Sequence, residues 1–362
     1  MEYTLTEQYW IWLSAVPGMT PRRFYALLSK AGDARAVWDT PDIARTLLDD
    51  KAYLSLLSAR AESFFYRTFS TLEKNGIAAV TRISALYPEK LSNIVDAPPT
   101  LYVKGNPDLN GERVLAVVGT RAPSYEGRKT AAEFSKVFAQ NGVTVVSGLA
   151  RGIDTCAHKG SLAEGGRTIA VLGGGVNCVT PAENIPLAEE IIAKGGSVVS
   201  ETQPDEMPQK WSFPARNRII SGLSSGVLVV EGRRTSGALI TADYALDQSR
   251  DVYAVPGSIY ASVSEGTNFL IQNGAFPALS PWDILESQHW ASREPVKAAS
   301  KPDVELTEDE KLILDRLQVE PLSFDEIAAA TGFSAQALNS HLTMMILRGI
   351  IIKTPGNIYR VS

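Results

Sequence analysis

Lys210, Arg216 and Arg218 fall within nine residues of one another, together with Trp211 and Phe213, and the chain then runs into the apolar stretch Ile219-Ile220-Ser221-Gly222-Leu223. Cations beside flat apolar rings suit a single nucleic-acid strand, because the cations meet phosphates and the rings stack on bases. Lys210 and Phe213 are three apart, so on a turn they can flank one nucleotide. Arg216 and Arg218 are two apart. In a helix they diverge, which leaves one of them free to pair with Glu201 or Glu231.

Two other turns share this chemistry. Gly119-Thr120-Arg121 follows an apolar run and precedes a helical pattern. Glycine lets a backbone approach a phosphate, the helix N-terminus favours an anion, and Arg121 adds a bidentate donor. Ser147-Gly148-Leu149-Ala150-Arg151-Gly152 repeats the arrangement, with Asp154 or a residue just before it as the expected N-cap. Gly119, Thr120, Arg121, Ser147, Gly148, Arg151, Gly152, Lys210, Phe213, Arg216 and Arg218 are therefore the candidate strand-binding residues. Gly173-Gly174-Gly175 marks a further close approach, to a ligand or to a neighbouring element.

Catalytic patterns are missing from the sequence. The first turn is not Gly-x-Gly-x-x-Gly, and no acidic residue for a ribose hydroxyl follows the second strand. A dinucleotide cofactor is disfavoured, and no other cofactor is expected. There is no Walker-type loop, no Ser-His-Asp set and no carboxylate cluster for Mg²⁺. Cys156, Cys178 and the three histidines have no metal-ligand spacing. A binding protein, not an enzyme, is expected.

These turns need a scaffold. Apolar β-rich runs at 114–118, 143–147, 168–172, 197–200, 227–230 and 252–255 alternate with helical patterns at 127–140, 187–194 and 238–248. That alternation predicts a doubly wound, Rossmann-like α/β fold with a mostly parallel sheet over residues 76–290, with ligands beyond the carboxyl ends of the strands. Residues 76–110 read as a connector, in which 96–105 is a rigid lead into a short strand. Residues 1–75 read as helical, with a helix-hairpin-helix-like turn at Val16–Arg23 in which Thr20 replaces the second glycine. Arg22 and Arg23 are expected to be solvated charges there. Residues 291–304 have linker composition. Residues 305–362 read as three helices and a β-hairpin, a winged-helix outline. From Thr307 onward seven acids face five Lys and Arg residues, a net charge of −2, and the third helix (334–347) has neither Lys nor Arg. A protein-contact or self-association role is expected for this tail, not duplex reading.

The 362 residues carry a net charge of −5, which argues against a general basic coat for duplex nucleic acid. Any nucleic-acid site must be local. No apolar run approaches the ~20 residues of a membrane span, and the acidic N-terminus is not a signal peptide, so a reduced cytoplasm is expected.

Val117-Val118-Gly119-Thr120-Arg121, the 147–154 turn, Phe213-Pro214 with Arg216-Asn217-Arg218-Ile219-Ile220-Ser221-Gly222-Leu223, and Glu265-Gly266-Thr267-Asn268 together resemble the DNA-processing protein A (DprA/Smf) family. The resemblance covers nearly the whole chain. It implies a cytoplasmic bacterial single-stranded DNA-binding protein. Such proteins protect incoming strands during natural transformation and load the RecA recombinase onto them, including strands covered by single-strand-binding protein. It also implies a homodimer, a sterile-alpha-motif-like or helix-hairpin-helix N-terminal part and a winged-helix tail. By matching motif it assigns strand binding to Arg121, the 147–152 turn, Lys210 and Phe213. The competing reading is a Rossmann-like enzyme that hydrolyses nucleoside monophosphates. That activity needs a Pro-Gly-Gly-x-Gly-Thr run, of which Pro256-Gly257-Ser258 is a fragment.

Overall fold

The computed structural model describes residues 2–291, 306–348, 350–354 and 358–361. Nearly all of the expected linker, from residue 292, and the wing turn at 355–357 lie outside the described residues. The chain divides into two compact units, Met1–Ser292 and Arg293–Ser362.

The first unit is built on a nine-stranded sheet. Its strands are β1 (Ile77–Thr81), β2 (Thr100–Gly105), β3 (Val114–Val118), β4 (Thr144–Ser147), β5 (Thr168–Val171), β6 (Ser197–Ser200), β7 (Gly226–Val229), β8 (Asp251–Ala254) and β9 (Phe276–Pro277). Their order is β1-β2-β6-β5-β4-β3-β7-β8-β9. All pairs from β6 to β9 are parallel, whereas β1 and β2 add antiparallel to the β6 edge. The expected connector at 76–110 is thus part of the sheet.

Parallel strands buried on both faces must be apolar throughout, and β3 shows the consequence. Val114, Ala116 and Val118 enter a core with Leu91, Ile219, Ile220 and Ala242. Leu115 and Val117 point the other way, to Phe134, Phe138, Ile153 and Leu285. Helices therefore cover both faces. The chain moves outward from β3 to β6, then returns to place β7 on the other side of β3. The switch point lies between these two halves, and there the loops leaving β3 and β7 diverge to open a crevice.

The N-terminal helices pack on the same unit. Ile11 and Leu72 join Ile77, Tyr102 and Val198 in one apolar cluster, while Trp12, Leu13, Phe24 and Leu27 form a core of their own. At the hairpin-like turn, Thr20 accepts from the Arg23 amide and so caps the second helix, Pro21–Ala31. Arg23 is not a solvated charge. It donates to the Gly18 carbonyl (2.9 Å) and pairs with Asp49.

The second unit has helices Glu308–Val319, Phe324–Thr331 and Ala335–Leu347, and a three-stranded sheet of Leu322–Ser323, Ile358–Val361 and Ile351–Thr354 in that order. Ile313, Leu317, Ile327, Leu338, Leu342 and Met345 fill its core. Arg348 is held by the buried Glu310 (3.2 Å), which removes one of the tail's few cations from outward use.

Candidate nucleic-acid interface

At the carboxyl end of β3 the chain turns through Gly119, Thr120 and Arg121 and enters the helix Tyr125–Gln140. Ser124 caps that helix by accepting from the Gly127 amide (2.9 Å). Glu231, just beyond β7, holds this cap in place. Its carboxylate accepts from the Ser124 amide (2.9 Å) and hydroxyl (2.6 Å), and its carbonyl accepts from the Thr120 amide (2.7 Å). The two strand ends that flank the switch point are thereby tied together. Glu231 is occupied here, and Arg218 does not pair with it.

The β4 turn is held by Asp154. This buried carboxylate accepts from the amides of Gly148 (3.1 Å) and Ala150 (3.3 Å), across Leu149 in the left-handed region (φ 54°). It is a brace inside the turn, not the N-cap, a position that Gly152 takes. Burial pushes its pKa up, against the pull of Arg216. Arg216, only 6% exposed, donates to the carbonyls of Gly148 (2.8 Å) and Val171, so one guanidinium bridges the ends of β4 and β5. Burial lowers its pKa to about 10, with Asp154 opposing the shift and Arg121 adding to it, and it stays charged at neutral pH.

These loops enclose a cleft of about 570 Å³ whose walls include Gly119, Thr120, Arg121, Lys210, Phe213 and Arg216. The Arg121 guanidinium carbon lies 5.6 Å from the centre of the half-exposed Phe213 ring, a cation–π arrangement. Arg121 and Lys210 are exposed, and neither has an ion-pair partner among the described residues. Trp211 is exposed beside them.

The other candidates fall elsewhere. Arg218 is buried against Glu201 (2.6 Å) and does not line the cleft, which corrects its assignment to the strand. Arg216 reaches the cleft wall, but the strand-end carbonyls take its fork. Arg151 is exposed and held bidentately by Glu183 (2.7 Å to each oxygen), which neutralises it locally. Ser147 is fully buried and donates to the Val117 carbonyl (2.7 Å), so it faces the sheet.

The glycines make close approaches inside the protein. A Cβ on Gly119 would sit 2.5 Å from Ile153, on Gly148 2.6 Å from the Arg216 guanidinium, and on Gly152 2.4 Å from the Thr120 carbonyl. Each admits a neighbour within the protein. Gly173–Gly175 likewise lie against Phe213, Pro208 and the carbonyls of Gln203 and Pro204.

The turn after β7 was passed over in the sequence. Asn217 donates to the Gly237 carbonyl (3.1 Å), and Ser236, Gly237 and Thr241 form the far wall of the cleft at the start of the helix Gly237–Asp247. Arg233 and Arg234 stand exposed in the same turn, with Arg234 over Phe269 (4.1 Å). A doubly wound order makes every strand end a candidate, so Glu231–Gly237 was the available signal.

Behind the cleft, His158 is fully buried. Thr168 donates to the Val145 carbonyl (2.7 Å), so it accepts from His158 Nδ1 (2.7 Å), which fixes the neutral ring with its proton there. Burial lowers the pKa of His158 to about 3 from the usual 6.5. Between these values the unfolded chain binds a proton that the folded one refuses. The stability this histidine contributes is full above pH 6.5 and should fall by about 1.4 kcal/mol per pH unit as pH drops towards 3. His158→Gln should flatten that part of an acid-unfolding profile. An unchanged profile would mean that His158 takes up its proton in the folded state.

The Pro256-Gly257-Ser258 turn is closed by Asn268, which donates to the Gly257 carbonyl (3.0 Å) and accepts from its amide (3.2 Å). Among the described residues no group of three or more His, Cys, Asp and Glu could hold a metal ion, and no helix is long and apolar enough to cross a membrane.

The fold and site together define a doubly wound α/β protein with a cationic, aromatic cleft at its switch point and a winged-helix tail. The model of the DNA recombination-mediator protein A family matches residues 78–289, and that of the DprA winged helix domain matches 297–357. The chain belongs to the DNA recombination-mediator protein A family. It is 38% identical over 323 residues to Protein Smf of Escherichia coli K12, covering 87% of this chain and 85% of that one. The solved DNA processing protein A of Streptococcus pneumoniae is 36% identical with a TM-score of 0.66, covering 79% of this chain and 98% of that one. The Helicobacter pylori DNA processing protein A, solved for its single-stranded DNA binding mode, is 28% identical with a TM-score of 0.53, over 58% of this chain and 94% of that one.

Proposed function

We propose that this protein holds single-stranded DNA in the switch-point cleft with little sequence preference and hands the strand to a RecA-type recombinase. The observation that carries the reading is Arg121 over Phe213 with Lys210 lining the same cleft, two exposed cations without ion pairs among the described residues beside an aromatic ring. Phosphates meet the cations and a base meets the ring, whatever its identity. The family's description as a recombination mediator and the single-stranded DNA binding of the Helicobacter pylori relative support it. In this reading the delivered strands include those first covered by single-strand-binding protein, and the protein works in the cytoplasm beside those partners. Recombinase filament assembly on covered single strands tests this step. No acceleration by the protein would contradict it.

The same reading makes the working unit a homodimer. Ile259 (80% exposed), Tyr260 (92%), Phe276 and Leu279 are bare around the β8–β9 edge, and a short edge strand with apolar neighbours invites pairing with a second copy. Sedimentation at micromolar concentration should give a dimer, and a monomer would contradict it.

Lys210→Ala and Arg121→Ala should each weaken single-strand binding and reduce the steepness of its salt dependence by about 0.7 in log–log slope, the value of one lost phosphate contact. A weakened variant with an unchanged slope would mean that the side chain does not meet phosphate.

The tail's acid excess, the Arg348–Glu310 pair and the bare Met344 and Ile346 on its third helix favour protein contact over duplex reading. Removing residues 305–362 should leave single-strand affinity within a few-fold. A loss on the order of a hundredfold (~2.7 kcal/mol) in a folded dimer would refute this role.

A further inference from the structure

We infer that the N-terminal helices carry a second binding site, an aromatic pocket with an acidic mouth that takes a lysine or arginine side chain presented by a partner protein. This is independent of the DNA cleft. A cavity of about 690 Å³ opens between the first residues of the chain, Trp38 and the helix Glu62–Lys74. Its lining is aromatic: Tyr3, Tyr9, Trp38, Phe65, Tyr66 and Phe69. The rings brace one another, with centroids 5.9 Å apart for Tyr9–Trp38, 6.1 Å for Tyr9–Phe65 and 4.9 Å for Phe65–Phe69. Tyr66 stands 75% exposed at the opening.

The charged residues that line this pocket are both acidic. Glu2 and Glu62 line it, both exposed, and neither has an ion-pair partner among the described residues. The nearby cations are turned to other tasks. Arg60 lies over Trp38 (6.0 Å) without lining the pocket, and Arg67 donates back to the Ser63 carbonyl (3.2 Å). Aromatic rings set edge-to-face and tilted against one another, behind exposed carboxylates, attract a cation with an aliphatic stem and repel phosphate. That chemistry selects Lys or Arg over a nucleotide. An open mouth flanked by an exposed tyrosine suits a side chain inserted from another protein's surface, where aromatic anchors contribute most of the binding energy.

The test uses the full chain and saturation-transfer NMR with n-butylguanidinium and n-butylammonium as side-chain probes. Equal-length n-butanol and pentanoate serve as controls. Both cations should bind, the alcohol about tenfold more weakly, and the acid weaker still. Glu62→Lys and Tyr66→Ala change exposed side chains, so each should weaken cation binding about tenfold in a protein that still binds oligothymidylate normally. The tripeptide amide Ac-Leu-Arg-Leu-NH₂ should bind more tightly than butylguanidinium, because its flanks reach Tyr66. Alcohol or acid binding as tightly as the cations would overturn the inference. So would indifference to Glu62→Lys, displacement of the cation by oligothymidylate, or a tripeptide no better than the free guanidinium. The last result would make the pocket a site for small amines instead.

Discussion

Arg216→Ala should lower the free energy of unfolding by on the order of 3–5 kcal/mol. The guanidinium is buried and donates to the carbonyls of Gly148 and Val171, at the ends of two adjacent strands. Its positive charge also faces Asp154, a buried carboxylate whose own hydrogen bonds come from the Gly148 and Ala150 amides. Truncation removes a charged donor from two strand-end carbonyls and leaves a buried carboxylate without its counter-charge. Arg216→Lys keeps the charge but not the fork, so it should recover only part of the loss. Urea unfolding measures both. A loss below about 1 kcal/mol for Arg216→Ala would show that water replaces the guanidinium and that the arginine is a spare ligand, as its sequence context alone suggested.

Phe213→Ala should weaken single-stranded DNA binding by about 1–3 kcal/mol with a smaller change in salt slope than Lys210→Ala or Arg121→Ala produces. The ring is half-exposed on the cleft wall, and it also orients Arg121 through the cation–π contact. Both effects vanish together on truncation. Phe213→Trp should retain most of the affinity, since a larger π-face still stacks. Normal binding by a folded Phe213→Ala protein would assign the ring to packing against Gly173 alone, where a Cβ would already lie 3.0 Å from it.

Much of the scaffold was readable in the chain. β3 to β8 are short apolar runs set between glycine-rich turns, and burial on both faces demands such runs. β2 was readable as a short strand after the rigid Pro98-Pro99 lead, but β1 was not, because Ala78 and Ala79 give a weak strand pattern. The two form an antiparallel edge, β1 pairing with β2 and β2 with β6. The two-residue β9 has no period to detect. At the site, Arg121, Lys210 and Phe213 were found from residue type and spacing and do meet at one cleft. Glu201, 17 residues from Arg218, was one of the two partners weighed for this arginine pair, but the partners that occupy Arg151 and Arg216 lie 32 and 45 to 68 residues away, a tertiary relation that local chemistry does not disclose. Glycine is ambiguous in the same way. Room for a phosphate and room for a neighbouring side chain leave the same mark, and at Gly119, Gly148 and Gly152 the neighbour takes it.

The most direct measurement compares, by gel shift at moderate salt, the binding of one single-stranded oligonucleotide with that of the duplex of the same length. A cleft that sets a partly buried ring beside two exposed cations, neither ion-paired among the described residues, needs unstacked bases, and a chain of net charge −5 offers a duplex no broad basic face. The single strand should bind markedly more tightly, and changing its sequence should matter little. Equal or tighter binding to the duplex would contradict the account.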